Sequence, residues 1–218
     1  MKIVFKTKRY VVIDDLLPKD QFDNLWLHFQ NESYVSPHVT QSGWQKVWRL
    51  NDGDCLGSPS YILSKKPFNN YMDAASSYML AAAKYTEDVS GKKDIDWKEA
   101  TFRSYIYPAG SKLSWHNDAG SYQAAFTYYA HPFWQSTWGG ELLVLAESGD
   151  IPDTAKTAPH LDHRWEDEYV SKIGVGEWIF PKPNRLVIMS GGVYHSINRI
   201  DSSAGDNCRC SIVGFLLK

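Results

Sequence analysis

Cysteine is scarce in this chain: three in 218 residues, two of them the near neighbours Cys208 and Cys210. An odd count at that spacing is no disulfide framework, so the sequence reads as carrying reduced thiols and as a protein that is not secreted. No stretch of 18 consecutive apolar residues occurs, and the opening MKIVFKTKRY alternates lysines with hydrophobes where a signal peptide would carry an apolar core. A soluble, cytoplasmic protein is expected, with no membrane partner. Excess positive charge is missing too: 23 Lys and Arg stand against 25 Asp and Glu, without the basic footprint that phosphate contacts require. Nucleic acid is therefore disfavoured as a partner. Neither an internal repeat nor a low-complexity tract is present, and the length suits one domain and not two.

What the chain does have is aromatic side chains, 14% of the total and nine of them Trp, together with seven His. Its first third reads as helical support. Phe22, Leu25, Trp26 and Phe29 fall at i, i+3, i+4 and i+7 behind Pro18, which predicts a helix within residues 14–32. A second helix is predicted over residues 70–88 from the stripe Tyr71, Ala74, Ala75, Tyr78, Ala82 and Tyr85, with Ser90-Gly91 as its stop. Beyond Trp97 the pattern changes to short β-type runs at 100–107, 113–118, 123–130, 140–146, 175–180, 185–189, 195–199 and 207–217, punctuated by Gly, Pro, Asn and Asp. The expected fold is mainly β, a sandwich or barrel, in one domain: residues 1–97 as support and 98–218 as the β core. A polar insertion at 147–173 is too long for a turn and either covers a site or moves.

His116-Asn117-Asp118 sets a His and a carboxylate at i and i+2 beside a β run, so that both can point to one face. His195, at the end of another hydrophobic strand, is the candidate third ligand. Two His and one carboxylate form the facial triad of non-haem Fe(II) oxygenases. A second H-x-D, His160-Leu161-Asp162 beside His163, lies in the polar insertion with no strand to fix it and reads as loop composition. His131 reads either as pocket lining or as packing; His28 and His38 read as ordinary surface or core histidines.

The succession TFRSYIYPAGSKLSWHNDAG, WGGELLVL, PKPNRLVIMSGGVYHSI and CRCSIVGFLL resembles the 2-oxoglutarate/Fe(II)-dependent oxygenases, above all their prolyl-4-hydroxylase-like branch. The opening VVIDDLLPKDQFDNL resembles that branch's entry strand and helix, so the likeness runs from about Val11 to Phe215. It implies a double-stranded β-helix of jelly-roll or cupin-like type, with Fe(II), 2-oxoglutarate and O₂ as cofactor and co-substrates and ascorbate as reductant in vitro. It assigns His116, Asp118 and His195 to iron. Arg209 takes the part of the basic residue that clamps the far carboxylate of 2-oxoglutarate, a task that suits a guanidinium fork. Ser211 shares its strand parity and would touch the same carboxylate. Tyr107 resembles the tyrosine that donates to the co-substrate, and Tyr105, on the same face, could replace it. The DSSAGDN stretch at 201–207 lengthens the link from His195 to Arg209 beyond the branch's usual interval; Arg199 is the rival, otherwise a solvated strand-end charge.

Because halogenating relatives carry a small residue at the position of Asp118, the resemblance favours hydroxylation over halogenation; desaturation, ring closure and epoxidation use the same ligands and stay open. Trp115, Asn117, Tyr122, Tyr128, His131, Trp134 and Trp138 surround the motif and are candidate pocket walls. Arg49 and Arg103 could meet a substrate carboxylate or form surface ion pairs. The expected substrate is a small molecule such as an amino acid or natural-product intermediate, with a peptidyl proline second. Competing readings are a metalloenzyme with the same triad but no 2-oxoglutarate, and a non-enzymatic jelly-roll binding module whose Trp residues stack on sugars.

Overall fold

A computed structural model describes residues 1–40, 48–118, 120–146 and 164–218. Two strands, β1 (Lys2–Lys6) and β2 (Tyr10–Asp14), lead into helix α1 (Lys19–Asn31) and the short α2 (Pro37–Thr40). Strands β3 (Leu56–Gly57) and β4 (Tyr61–Ile62) precede α3 (Asn70–Lys84) and α4 (Glu87–Ser90). Then come β5 (Glu99–Tyr107), β6 (Leu113–His116), β7 (Tyr122–Tyr129), β8 (Leu142–Leu145), α5 (Arg164–Ile173), β9 (Gly176–Ile179), β10 (Leu186–Ser190), β11 (His195–Ile197) and β12 (Arg209–Leu217).

The strands form two antiparallel sheets. The larger has the order β1-β2-β10-β7-β12-β5-β3 with β4 also on β5; the smaller has the order β6-β11-β8-β9. They face each other as a jelly roll that strand pairing does not close into a barrel. Strand alternation gives the larger sheet two different faces. On β12, Cys210, Ile212 and Leu216 turn towards α1 and α3, where they pack with Leu25, Phe29, Met72 and Met79. Val213 and Phe215, of opposite parity, line the space between the sheets. Helices, larger sheet and smaller sheet thus form three layers.

The helix predictions hold with one change. The α1 stripe is as expected, with Leu25 and Phe29 buried and Phe22 and Trp26 packed beside them. The second helix opens at Asn69, whose side chain accepts from the Met72 amide at 2.8 Å, but it ends at Lys84. Thr86 leaves helical geometry (φ −131°) and bonds back to Ala82 O at 3.0 Å, so the chain restarts as α4 and stops at Gly91 with φ +74°. The sequence reading also lacked β1, the two-residue β3 and β4, and α5. Helix α5 belongs to the supposed polar insertion, whose residues 147–163 lie outside those described. Its only buried residue is a glutamate, and its stripe of Trp165, Tyr169, Val170 and Ile173, at i, i+4, i+5 and i+8, is set among charged residues that made the stretch read as polar.

Candidate active site

His116 and His195 stand directly opposite each other on the antiparallel pair β6–β11. The next paired positions are Leu113 and Ile197, so Ser114 and Trp115 together oppose the single residue Ser196. This is a β-bulge, and it lets Leu113 and His116 both face inwards despite their odd spacing. Asp118 follows just beyond the strand. One ligand atom from each of His116, Asp118 and His195 lies within 4.8 Å of the others. The His116 Nε2 and His195 Nε2 atoms are 3.9 and 3.6 Å from the Asp118 carboxylate oxygens, and the two ring centroids are 4.3 Å apart.

Each imidazole is oriented by its own backbone. His116 Nδ1 lies 2.8 Å from Ser114 O and His195 Nδ1 2.9 Å from Val193 O. Donation through Nδ1 fixes the tautomer that leaves Nε2 as a free lone pair towards the carboxylate. Burial, reinforced by the adjacent His195, pushes the His116 pKa down to about 4, so its ring is neutral and ready to ligate at pH 7. Two imidazole nitrogens and one carboxylate on one side suit a divalent iron with open positions.

A second polar group sits on the larger sheet. Pairing of β12 with β5 sets Arg209 opposite Tyr107 and Ser211 opposite Tyr105, and pairing with β7 sets Ser211 opposite Tyr129. Arg209 is completely buried. Its Nε donates to Gly140 O at 2.8 Å and Nη1 to Ser211 Oγ at 3.3 Å, while the guanidinium carbon lies 5.1 and 4.8 Å from the Tyr107 and Tyr129 ring centres. Gly140 (φ +74°) is needed here, because a Cβ would come within 3.0 Å of Arg209 Cδ. No carboxylate pairs with Arg209 among the described residues. Arg209 Nη2, Tyr107 Oη and Tyr129 Oη are all buried without a hydrogen-bond partner. Burial raises both phenol pKa values, so both remain donors. Three orphaned donors around a buried cation fit a carboxylate, which supplies only acceptors.

A cavity of about 170 Å³ has His116, Asp118 and His195 in its walls together with Tyr107 of the second group, and is completed by residues that include Trp48, Tyr105, Tyr122, Met189 and Phe215. Of the candidate walls, Tyr122 takes this place, and Asn117 is half-buried between the two ligands of its own segment. Four others do not. Trp115 lies on the outer side of the bulge, stacked on Tyr194 at 5.7 Å. Tyr128 has the wrong parity: it is buried on the helix side and donates to Asn184 Oδ1 at 2.8 Å. His131 is packed away from the cavity, its ring nitrogens 2.7 Å from Pro181 O and 3.2 Å from Cys210 O. Trp138 is buried edge-on to Trp134 at 5.2 Å, so both belong to a core cluster.

The arginines also separate. Arg49 is no surface charge; it is buried in an ion pair with the equally buried Glu166. Arg103 donates to Ser58 O and lies 5.4 Å from the Tyr105 ring. Arg199 is exposed and braces a loop through Asn51 O at 3.1 Å, away from the site. His28 is a core residue, 3.1 Å from Ser104 Oγ, and His38 belongs to α2. His160, Asp162 and His163 lie outside the described residues. Sequence reasoning missed Tyr129 and Trp48. Tyr129 was within reach, because correct β7 parity would have selected it over Tyr128; Trp48 carried no local signal.

Residues 100–217 match the family model described as the 2OG-Fe(II) oxygenase superfamily. No curated protein matches the chain by sequence. Among solved structures, a Pseudomonas putida prolyl-4-hydroxylase is similar with a TM-score of 0.62 at 16% identity, over 96% of this chain and 92% of that one. A Trichoplax adhaerens prolyl hydroxylase, in complex with a hypoxia inducible factor oxygen degradation domain peptide fragment, gives 0.60 at 12% identity, over 97% and 84%. An oxidoreductase of the 2OG-Fe(II) oxygenase family from Burkholderia pseudomallei gives 0.54 at 10% identity, over 95% and 84%.

Proposed function

The chain belongs to the 2OG-Fe(II) oxygenase superfamily, and from that premise we propose that it hydroxylates an unactivated C–H bond of a small molecule, an amino acid or natural-product intermediate. As a 2-oxoglutarate-dependent dioxygenase it uses Fe(II), 2-oxoglutarate and O₂. In this reading His116, Asp118 and His195 hold the iron, and Arg209 with Tyr107, Tyr129 and Ser211 holds the far carboxylate of the co-substrate. Iron and 2-oxoglutarate together supply the oxidising power, one oxygen atom of O₂ going to substrate and the other to succinate as CO₂ leaves. The protein's own part is placement. Nδ1 donation to backbone carbonyls keeps both imidazoles aimed, the buried guanidinium sets the diacid's direction, and aromatic walls keep water from the reacting centre.

The observation that carries the reading is a cavity walled by both the His-Asp-His cluster and Tyr107, one of three unsatisfied buried donors whose others are Arg209 Nη2 and Tyr129 Oη. Neither a sugar-binding jelly roll nor a keto-acid-independent metalloenzyme has use for the second group. The cavity's modest volume and aromatic walls suit a small, largely apolar group near the metal. A peptidyl proline is the second reading, favoured by the likeness to the two prolyl hydroxylases. Succinate release by purified protein with Fe(II), ascorbate and 2-oxoglutarate, across a panel of amino acids and proline peptides, tests both. Turnover with a free amino acid supports the first reading, and turnover with peptides alone supports the second. No metal-dependent succinate above that of His195→Ala under any condition refutes both.

A further inference from the structure

We infer that Asp52, Arg49 and Glu166 are positioning residues for the metal centre, holding the β6 bulge from outside so that His116 and Asp118 point between the sheets. This rests on the reading of His116, Asp118 and His195 as metal ligands. A bulge leaves residues without regular ladder partners, so something else must fix where the strand goes next. Here Ser114 is the hub. Its carbonyl orients the His116 ring through Nδ1, while its hydroxyl donates outwards to Asp52 Oδ1 at 2.6 Å. Asp52 is completely buried; its other oxygen accepts from the Arg49 amide at 2.9 Å, and its carbonyl accepts from the Lys112 amide at 2.8 Å. Arg49 continues the chain of contacts. Its Nη2 donates to Trp115 O at 3.3 Å, so both bulge residues are held, one by a carboxylate and one by a guanidinium.

Glu166 closes the arrangement from the far side. It reaches in from α5, takes both Arg49 Nη atoms, with Nη1 at 2.7 Å, and lies 3.4 Å from the Tyr194 hydroxyl. Tyr194 in turn stacks on Trp115 and meets Tyr169 of α5 edge-on at 5.5 Å. Three buried charges are a poor way to gain stability, since an apolar cluster of the same shape would serve as well. They are a good way to specify one geometry, because each contact is directional and each unpaired alternative is costly. Their location, on the two residues preceding a ligand, says which geometry is being specified.

The test is Co(II) titration of the metal-free full-length chain, followed by visible absorption, for the wild type and for Asp52→Asn, Arg49→Lys and Glu166→Gln. Melting temperatures of the metal-free proteins are measured alongside. The expected result is Co(II) affinity about ten- to a hundredfold weaker in each variant, the usual cost of losing outer support of a ligand, with displaced absorption bands even at saturation. A merely structural role would lower the melting temperature and leave affinity and bands alone. Affinities within threefold of wild type and unchanged bands in the variants that fold overturn the inference. Arg49→Lys, which keeps charge and stem, decides the matter should the other two fail to fold. Absence of Co(II) binding by the wild type itself refutes instead the metal-centre reading on which this one stands.

Discussion

Replacing Arg209 by Met should separate co-substrate binding from folding. The side chain is wholly buried, and its Nη2 has no partner in the chain. A carboxylate there would receive two charge-assisted hydrogen bonds worth about 1.5–3 kcal/mol each. Losing both, about 4.5 kcal/mol at the middle of that range, corresponds to roughly a two-thousandfold rise in the 2-oxoglutarate concentration needed for half-maximal turnover. Stability should move differently. Removing a buried cation in favour of an apolar side chain of similar volume gains about 1–4 kcal/mol. Against this stand the lost bonds to Gly140 O and Ser211 Oγ, about 1 kcal/mol each. The metal-free variant should therefore stay within about 2 kcal/mol of wild type in urea. Succinate release against 2-oxoglutarate concentration, with Co(II) affinity as a control that should not change, measures the first effect. A half-saturating concentration within threefold of wild type, or a loss of more than about 2 kcal/mol in urea, would falsify the assignment of Arg209 to an incoming anion.

Tyr129→Phe should raise the half-saturating 2-oxoglutarate concentration about tenfold or more, through one lost bond to a charged group. Tyr128→Phe should leave that value alone and cost about 1 kcal/mol through Asn184; equal effects of the two on saturation would contradict the strand parity. Burial holds both His116 and His131 down at about 4, whereas the unfolded chain protonates them near the ordinary value of about 6.5. The unfolded state thus binds more protons between those values, so stability is full above pH 6.5 and falls as pH drops towards 4. Urea midpoints of the metal-free protein should follow that course, with a shallower slope in His131→Gln; a flat profile would count against two buried neutral rings. Gly214→Ala would place a Cβ 2.7 Å from Thr101 O and from Phe126 Cδ2, so a loss of about 1–3 kcal/mol is expected. An unchanged melting temperature would show that β12 and β5 yield more easily than their pairing suggests.

Local chemistry made some of this legible and left the rest hidden. The α1 stripe and the eight β runs after Trp97 could be read because periodicity records which face is buried. His116, Asp118 and His195 could be singled out from their joint setting, because the H-x-D beside a β run, weak alone, stands in a succession of motifs that resembles the oxygenase family. Tyr128 was mistaken for Tyr129 because adjacent tyrosines on a strand differ only in parity, which β12 pairing settles and composition does not. Trp115 misled for a related reason: the bulge turns Ser114 and Trp115 outwards together, so simple alternation fails over those residues. Arg49 and Glu166 were unreadable as a pair. They lie far apart in sequence, and α5, which delivers Glu166, hides its stripe of Trp165, Tyr169 and Ile173 in a stretch so charged that it read as a polar insertion.

The two halves of the site belong to different layers. Arg209, Tyr107 and Tyr129 stand on β12, β5 and β7 of the larger sheet, His116 and His195 on β6 and β11 of the smaller, and among the described residues no strand pair joins the sheets. In the proposed assignment, a diacid gripped at one end by the first layer and, through the metal, by the second at the other would be a removable cross-link. Each partner alone fastens to a single layer; only the two together span the gap. Amides of both sheets should then slow their exchange with solvent as one unit when metal and diacid are both supplied, and loosen again as one unit when either is withdrawn.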